Sequence, residues 1–230
     1  LTTSGPVEVR FPAVITHLAD KDGSTAELTV LAELHNVTDK PVQGKLEIEI
    51  PGLKLRVQQP QSLAAGETKS IRLVSTEFPQ LTVKNPKLWW PAQMGTPNLY
   101  DVRTAFTVGA TVSDSHRMRI GIREITSETT DKGARLFKVN GKPILIRGGG
   151  WAPDMLLRQN PEKVRHEFQY VQDMNLNTIR LEGKMENDDF FNLADERGVL
   201  IMAGWCCCDL WEEWAKWQGD QLHGVDRRAG

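Results

Sequence analysis

The chain has 230 residues, enough for one or two domains with a real core. Its 28 Lys+Arg against 30 Asp+Glu leave a formal charge of −2, with 25% charged and 40% hydrophobic residues. That balance argues against a nucleic-acid or membrane-surface binder, which would carry a basic excess. No apolar run approaches the roughly 18 residues of a membrane helix.

From Val7 to about Arg123 apolar residues alternate with polar ones. Ala26-Glu-Leu-Thr-Val-Leu-Ala-Glu-Leu34 and Leu46-Glu-Ile-Glu-Ile50 are apolar at every second position, as a strand with one wet face requires. Ile71 to Leu73 and Val102 to Val108 continue the pattern. Turn signals stand between them at Asp22-Gly23, Lys40-Pro41, Pro51-Gly52 and Ala65-Gly66. Seven or eight short strands without an intervening helix predict an immunoglobulin-like sandwich over residues 1–125. Trp89-Trp90-Pro91 belongs to this half and is read as packing.

After Phe137 the pattern changes. Ile144-Leu-Ile146 and Val199-Leu-Ile-Met-Ala203 are apolar runs without alternation, suited to parallel strands buried on both faces. Asn160-Pro161 opens a helix with a cap and a proline at its first position, and Val164, Phe168, Val171 and Met174 follow at helical spacing. Thr178-Ile-Arg-Leu181 reads as a second strand. Phe190, Phe191 and Ala194 mark a second helix that Gly198 ends. The order β-α-β-α-β, with crossovers long enough for parallel pairing, predicts the first βα units of a (β/α)8 TIM barrel over residues 126–230. A whole barrel takes about 250 residues, so the chain is expected to be a multi-domain fragment. Neither a G-x-G-x-x-G fingerprint nor a P-loop is present, and Gly148-Gly149-Gly150 leads to Trp151-Ala-Pro-Asp154 rather than directly into a helix.

In a βα barrel the segments after each strand meet at one mouth, where such enzymes place their sites. Here those segments carry Trp151 and Asp154, then Arg180 and Glu182, then Trp205 and Asp209, with Trp211 close behind. Tryptophans interleaved with charges suit a sugar: the aromatic face covers ring C–H patches while the charges meet hydroxyls or an amine. Blander roles compete with this. The tryptophans also serve as core, Arg180 as a buried ion pair with Glu182, Asp154 as a brace for the glycine-rich loop, and Asp209 as a helix cap. Cys206, Cys207 and Cys208 are consecutive, which rules against a disulfide framework. With Asp209 and His223 they match no familiar zinc spacing, so neither metal nor cofactor is expected. The compartment stays open, with a secreted or periplasmic location of the parent protein compatible with the sequence.

Three stretches resemble glycoside hydrolase family 2: Pro86-Lys-Leu-Trp-Trp-Pro-Ala-Gln-Met-Gly-Thr-Pro-Asn-Leu-Tyr100, Ile120-Gly-Ile-Arg-Glu-Ile125 and Phe137-Lys-Val-Asn-Gly-Lys-Pro-Ile-Leu-Ile-Arg-Gly-Gly-Gly-Trp151. Within it, Gly148 to Asp154, Arg180-Leu-Glu-Gly-Lys184 and Gly204 to Glu212 are most similar to exo-β-D-glucosaminidases, which remove glucosamine from the ends of chitosan oligomers. The β-mannosidase branch is the nearest rival. The resemblance implies a retaining hydrolase with two carboxylates about 5–5.5 Å apart, placed after the fourth and seventh barrel strands. Both are therefore expected beyond Gly230, no catalytic residue is assigned here, and the chain alone is expected to be inactive. The implied partner is an oligosaccharide, of chitosan type or a mannoside.

The resemblance also implies that Arg180 stands beside the nucleophile and that Asp154 grips substrate. Where glucosaminidases commonly have an acidic residue after the tryptophan, this chain has Cys206, which leaves Glu182 or Asp209 to supply charge for the sugar's amine. Two other readings compete: a non-catalytic carbohydrate-binding or scaffold module built on the sandwich, and a self-contained α/β protein. A sheet ending after Val199 to Ala203 would expose an edge offering self-association.

Overall fold

The computed structural model describes residues 3–183 and 185–203. Contacts divide the chain into two compact units, Leu1–Leu145 and Ile146–Gly230.

The first unit begins with β1 (Val7–Leu18), β2 (Thr25–Asn36), β3 (Val42–Ile50), β4 (Leu55–Leu63), β5 (Thr68–Leu73), β6 (Thr82–Lys84), β7 (Tyr100–Val108) and β8 (Thr111–Ile120). They form two four-stranded antiparallel sheets. One has the order β1-β2-β5 with β6 also on β2, and the other β4-β3-β7-β8. Period-two patterning decides which side chains go inward. In β2, Ala26, Leu28, Val30, Ala32 and Leu34 are buried while the residues between them are half-buried. In β3, Leu46, Ile48 and Ile50 do the same, with Leu46 opposite Phe106 of β7. The inward faces of both sheets share one hydrophobic core, the sandwich that the alternation predicts.

Trp89 is 1% exposed, with the Arg123 guanidinium 4.4 Å from its ring centroid. Its backbone N–H donates to the Ile122 carbonyl, and the Asn140 amide donates to the Trp89 carbonyl. Trp89 therefore packs, as expected.

Three further strands follow in this unit: β9 (Ile125–Thr129), β10 (Arg135–Val139) and β11 (Lys142–Ile144), an antiparallel sheet in the order β11-β10-β9. Here the structure corrects the sequence reading. Ile144 is not in the first parallel strand but pairs with Phe137 across a hairpin.

The second unit has the predicted order with a shifted start: β12 (Gly148–Trp151), α1 (Pro161–Asp173), β13 (Thr178–Leu181), α2 (Asp188–Arg197) and β14 (Leu200–Met202). The sheet is parallel, β12-β13-β14, with Gly148 opposite Thr178 and Trp151 opposite Leu181. The first parallel strand is thus made of the glycine triple. A Cβ on Gly148 would lie 2.3 Å from the Thr178 carbonyl oxygen, so only glycine lets the two strands approach this closely.

Asn160 caps α1, its side chain accepting from the Glu162 and Lys163 backbone N–H groups, and Pro161 takes the first helical position. Asn187 caps α2 by accepting from Phe190, and Gly198 ends it in the left-handed conformation at φ 66°. Phe168, Val171, Ile179, Leu181, Phe190, Ala194 and Val199 form the core between helices and sheet. Between β12 and β13, the buried Asn177 accepts from the Arg147 backbone N–H through Oδ1 and donates its own N–H to the Arg147 carbonyl. The two units together are an immunoglobulin-like sandwich followed by the first βα units of a (β/α)8 barrel.

Candidate functional site

Strand β13 sorts its residues by face. Ile179 and Leu181 are buried in the core beneath the helices, so Arg180 falls on the opposite face, which in a closed barrel is the interior. Arg180 Nη1 donates to Glu182 Oε1 at 2.9 Å, with the two side chains 56% and 49% exposed. The ion pair expected between them exists, but it is exposed rather than buried. Glu182 is fixed from its backbone, whose N–H donates to the Trp151 carbonyl. Its carboxylate lies over Gly150: a Cβ there would meet Glu182 Oε1 at 2.7 Å. The hydrogen bond from Arg180 falls on Glu182 Oε1.

Trp151 turns the other way. Its ring packs on Phe168 and Phe190, with centroids at 6.1 and 5.0 Å, and its indole N–H donates to Glu186 Oε1 at 3.0 Å. It joins the helix-side core as a partly buried member, so of its two readings the structure favours packing. Glu186 was not singled out from the sequence. Its only signal is a carboxylate one residue before a helix cap.

Asp154 organises the loop after β12. Its Oδ1 accepts from the backbone N–H of Leu156 at 2.9 Å and of Arg158 at 3.4 Å, and from Arg158 Nε at 3.2 Å. Oδ2 accepts from Arg158 Nη2 at 3.1 Å. The Arg158 guanidinium first, and the Leu156 N–H second, hold the Asp154 carboxyl down to about 2. Arg158 in turn is raised above its ordinary value by the same hydrogen bonds. Arg158 is a second residue the sequence reading missed. Leu157, between the two, takes φ +54°, which closes the turn.

Asp154, Arg158 and Trp151 line a cleft of about 430 Å³ with Asn160, Glu186 and Asn187. Arg180 and Glu182 are not among its lining residues. The structure therefore brings Arg180 together with Glu182, and Trp151 with Asp154, as two separate groupings. Trp205 and Asp209, like Lys184, Trp211, Cys206 to Cys208 and His223, lie outside the described residues. Among the described residues no cluster of three His, Cys, Asp or Glu side chains is placed to hold a metal, and no helix is long and apolar enough to cross a membrane.

A two-sheet sandwich continued by parallel βα units, with a charged pair on the strand face turned from the helices, defines the sandwich-and-barrel class of modular proteins. Comparison with known proteins narrows this. Residues 7–123 match the family described as glycosyl hydrolases family 2. An exo-β-D-glucosaminidase of Streptomyces avermitilis is 40% identical over 208 residues, which is 90% of this chain and 23% of that protein. One from Amycolatopsis orientalis is 41% identical over 209 residues, 91% of this chain and 20% of that protein. The crystal structure of the Amycolatopsis orientalis exo-chitosanase CsxA superposes with a TM-score of 0.83 at 39% identity, covering 91% of this chain and 24% of that one. The chain belongs to glycosyl hydrolases family 2 and spans about a fifth to a quarter of the length of these relatives.

Proposed function

We propose that the chain is part of a retaining, exo-acting glycoside hydrolase that releases β-linked glucosamine from chitosan oligosaccharides. The single observation that carries this reading is the 40% identity to an exo-β-D-glucosaminidase over 90% of the chain. The geometry agrees with it. Arg180 and Glu182 form a charged pair on the strand face away from the helices, where a barrel enzyme receives its substrate.

In this reading residues 1–125 are the immunoglobulin-like domain and residues 126–230 the opening part of the catalytic barrel. The acid/base and nucleophile are carboxylates of later barrel strands. Arg180 stands beside the nucleophile, where a fixed cation favours the ionised form. Glu182 holds that cation in place and keeps one oxygen for the sugar. Asp154 supplies negative charge for the ammonium group, with Trp205 and Asp209 completing the rim. The 230 residues alone turn nothing over, and they self-associate through an edge strand of the parallel sheet.

The test is expression of the 230 residues, alone and within the full-length polypeptide, with a chromogenic β-glucosaminide and the matching β-mannoside. Hydrolysis of the glucosaminide by the full-length protein only is the expected result. Turnover by the chain alone, or a preference for the mannoside, overturns it. Sedimentation at several concentrations reads the self-association, and a monomer throughout counts against it.

A further inference from the structure

We propose that Arg158 is the resident counter-cation of Asp154, displaced when a ligand's ammonium group arrives, and that residue 158 thereby sets selectivity for an amino sugar over a neutral one. The inference rests on the preceding reading that the site takes glucosamine.

Two kinds of contact hold Asp154, and they come from different sides. From the loop, the backbone N–H groups of Leu156 and Arg158 reach Oδ1. They are fixed by the turn that Leu157 closes, whose own N–H donates to the Asp154 carbonyl at 2.8 Å. From the water, the guanidinium covers both carboxylate oxygens in a fork. The Arg158 side chain is 72% exposed, the Asp154 side chain only 19%. Among the described residues the guanidinium is thus the outer partner of the pair and the carboxylate the inner one.

The two sets of contacts differ in how easily they are given up. The fork gives the pair the stronger geometry for an exposed ion pair, though ordering a long side chain offsets part of the attraction. The guanidinium is exchangeable for another cation, while the carboxylate stays where the backbone holds it. An ammonium offers three donors to the same oxygens and replaces the lost charge. A neutral hydroxyl does not repay the vacated cation, so it leaves Arg158 in place. The exchange conserves charge for an amino sugar and not for glucose. Asp154 and Arg158 line a cleft of about 430 Å³ whose other lining residues include Asn160, Glu186 and Asn187.

The experiment compares kcat/KM for p-nitrophenyl β-D-glucosaminide and p-nitrophenyl β-D-glucoside in the full-length enzyme, for wild type, Arg158→Met, Arg158→Lys and Asp154→Asn. Arg158→Met removes the competing charge and keeps the side-chain stem. It should raise the glucosaminide-to-glucoside ratio about two- to fivefold, the equilibrium weight of an exposed ion pair. Arg158→Lys should lie between it and wild type. Glucosamine should also shift the Arg158 Nε–H resonance, and glucose should not.

A ratio unchanged or lowered in Arg158→Met, while Asp154→Asn still abolishes the preference for the amine, overturns the exchange and leaves the glucosamine reading standing. An Asp154→Asn enzyme with wild-type preference overturns the glucosamine reading at this residue. If Arg158→Met does not fold, the Arg158→Lys ratio and the resonance shift decide the matter.

Discussion

Replacing Gly148, Gly149 and Gly150 by alanine one at a time separates three physical effects within a single strand. None of the three has a positive φ, so alanine meets no backbone penalty at any of them, and the outcome depends on space alone. At position 148 the new Cβ lies 2.3 Å from the Thr178 carbonyl oxygen and 3.0 Å from its carbon. Backbone cannot swing aside as a side chain can, so β12 must move away from β13. Overpacking of this kind costs about 1–3 kcal/mol. At position 149 no described atom lies within 4 Å, and the restricted unfolded chain stabilises the fold by about 0.4–1 kcal/mol. At position 150 the clash is with Glu182 Oε1 at 2.7 Å, the far end of a flexible side chain, so stability stays near wild type while the contact to Arg180 is lost.

The assay is amide exchange read on peptides covering β13, since opening of this unit differs from that of the sandwich. Protection should fall in Gly148→Ala by a factor of about five to a hundred or more. It should rise several-fold in Gly149→Ala and stay close to wild type in Gly150→Ala. Equal protection in the first two variants refutes the close-approach argument.

Phe190→Ala removes a ring that is 1% exposed and touches Trp151, Phe168 and Phe191. It should cost about 3–5 kcal/mol, read as lost exchange protection in α1 and α2 with the sandwich unaffected. Asn160→Ala deletes a cap that accepts from two backbone N–H groups and should cost about 0.5–2 kcal/mol, measured by helical circular dichroism in a urea titration. Asp154 has a folded pKa of about 2 against an ordinary 3.8. Its stabilising effect is thus full above pH 4 and disappears as pH falls from about 4 to 2. A carboxyl-carbon NMR titration should give the depressed value in wild type and a higher one in Arg158→Met, and an unchanged value there would contradict the assigned cause.

Much of this architecture is legible in the sequence because it rests on periodicity and capping. The alternation of β2 and β3 reaches the structure intact, and so do the Asn160-Pro161 start of α1 and the Gly198 stop of α2. The first parallel strand is not legible, for a physical reason. Gly148-Gly149-Gly150 has no side chains to form a hydrophobic pattern, while the apolar Ile144 two positions before Ile146 resembles a buried strand and is paired in a hairpin instead.

Strand position alone puts Arg180 on the face turned from the helices, with Glu182 just past the strand end. The facing of Trp151 is not available from spacing, because a tryptophan at a strand end serves equally as a ligand platform or as core. Arg158 and Glu186 are hidden because their partners depend on loop conformation. The i, i+4 spacing of Asp154 and Arg158 is a helical signal, yet the pair lies in a turn that needs a left-handed leucine.

The glycine triple and the charged pair are two sides of one arrangement. A side chain at 148 would push β12 and β13 apart, and one at 150 would displace the Glu182 carboxylate. The same missing atoms therefore bring the strands together and clear the space in which Glu182 holds Arg180. This accounts for glycine at 148 and 150, while no described atom crowds 149; no helix start follows them, since α1 begins only at Pro161, after a loop that Asp154 and Arg158 organise. Space, not phosphate recognition, is what these glycines supply. The occupant of that space is the Glu182 carboxylate, whose Oε1 accepts from Arg180 Nη1.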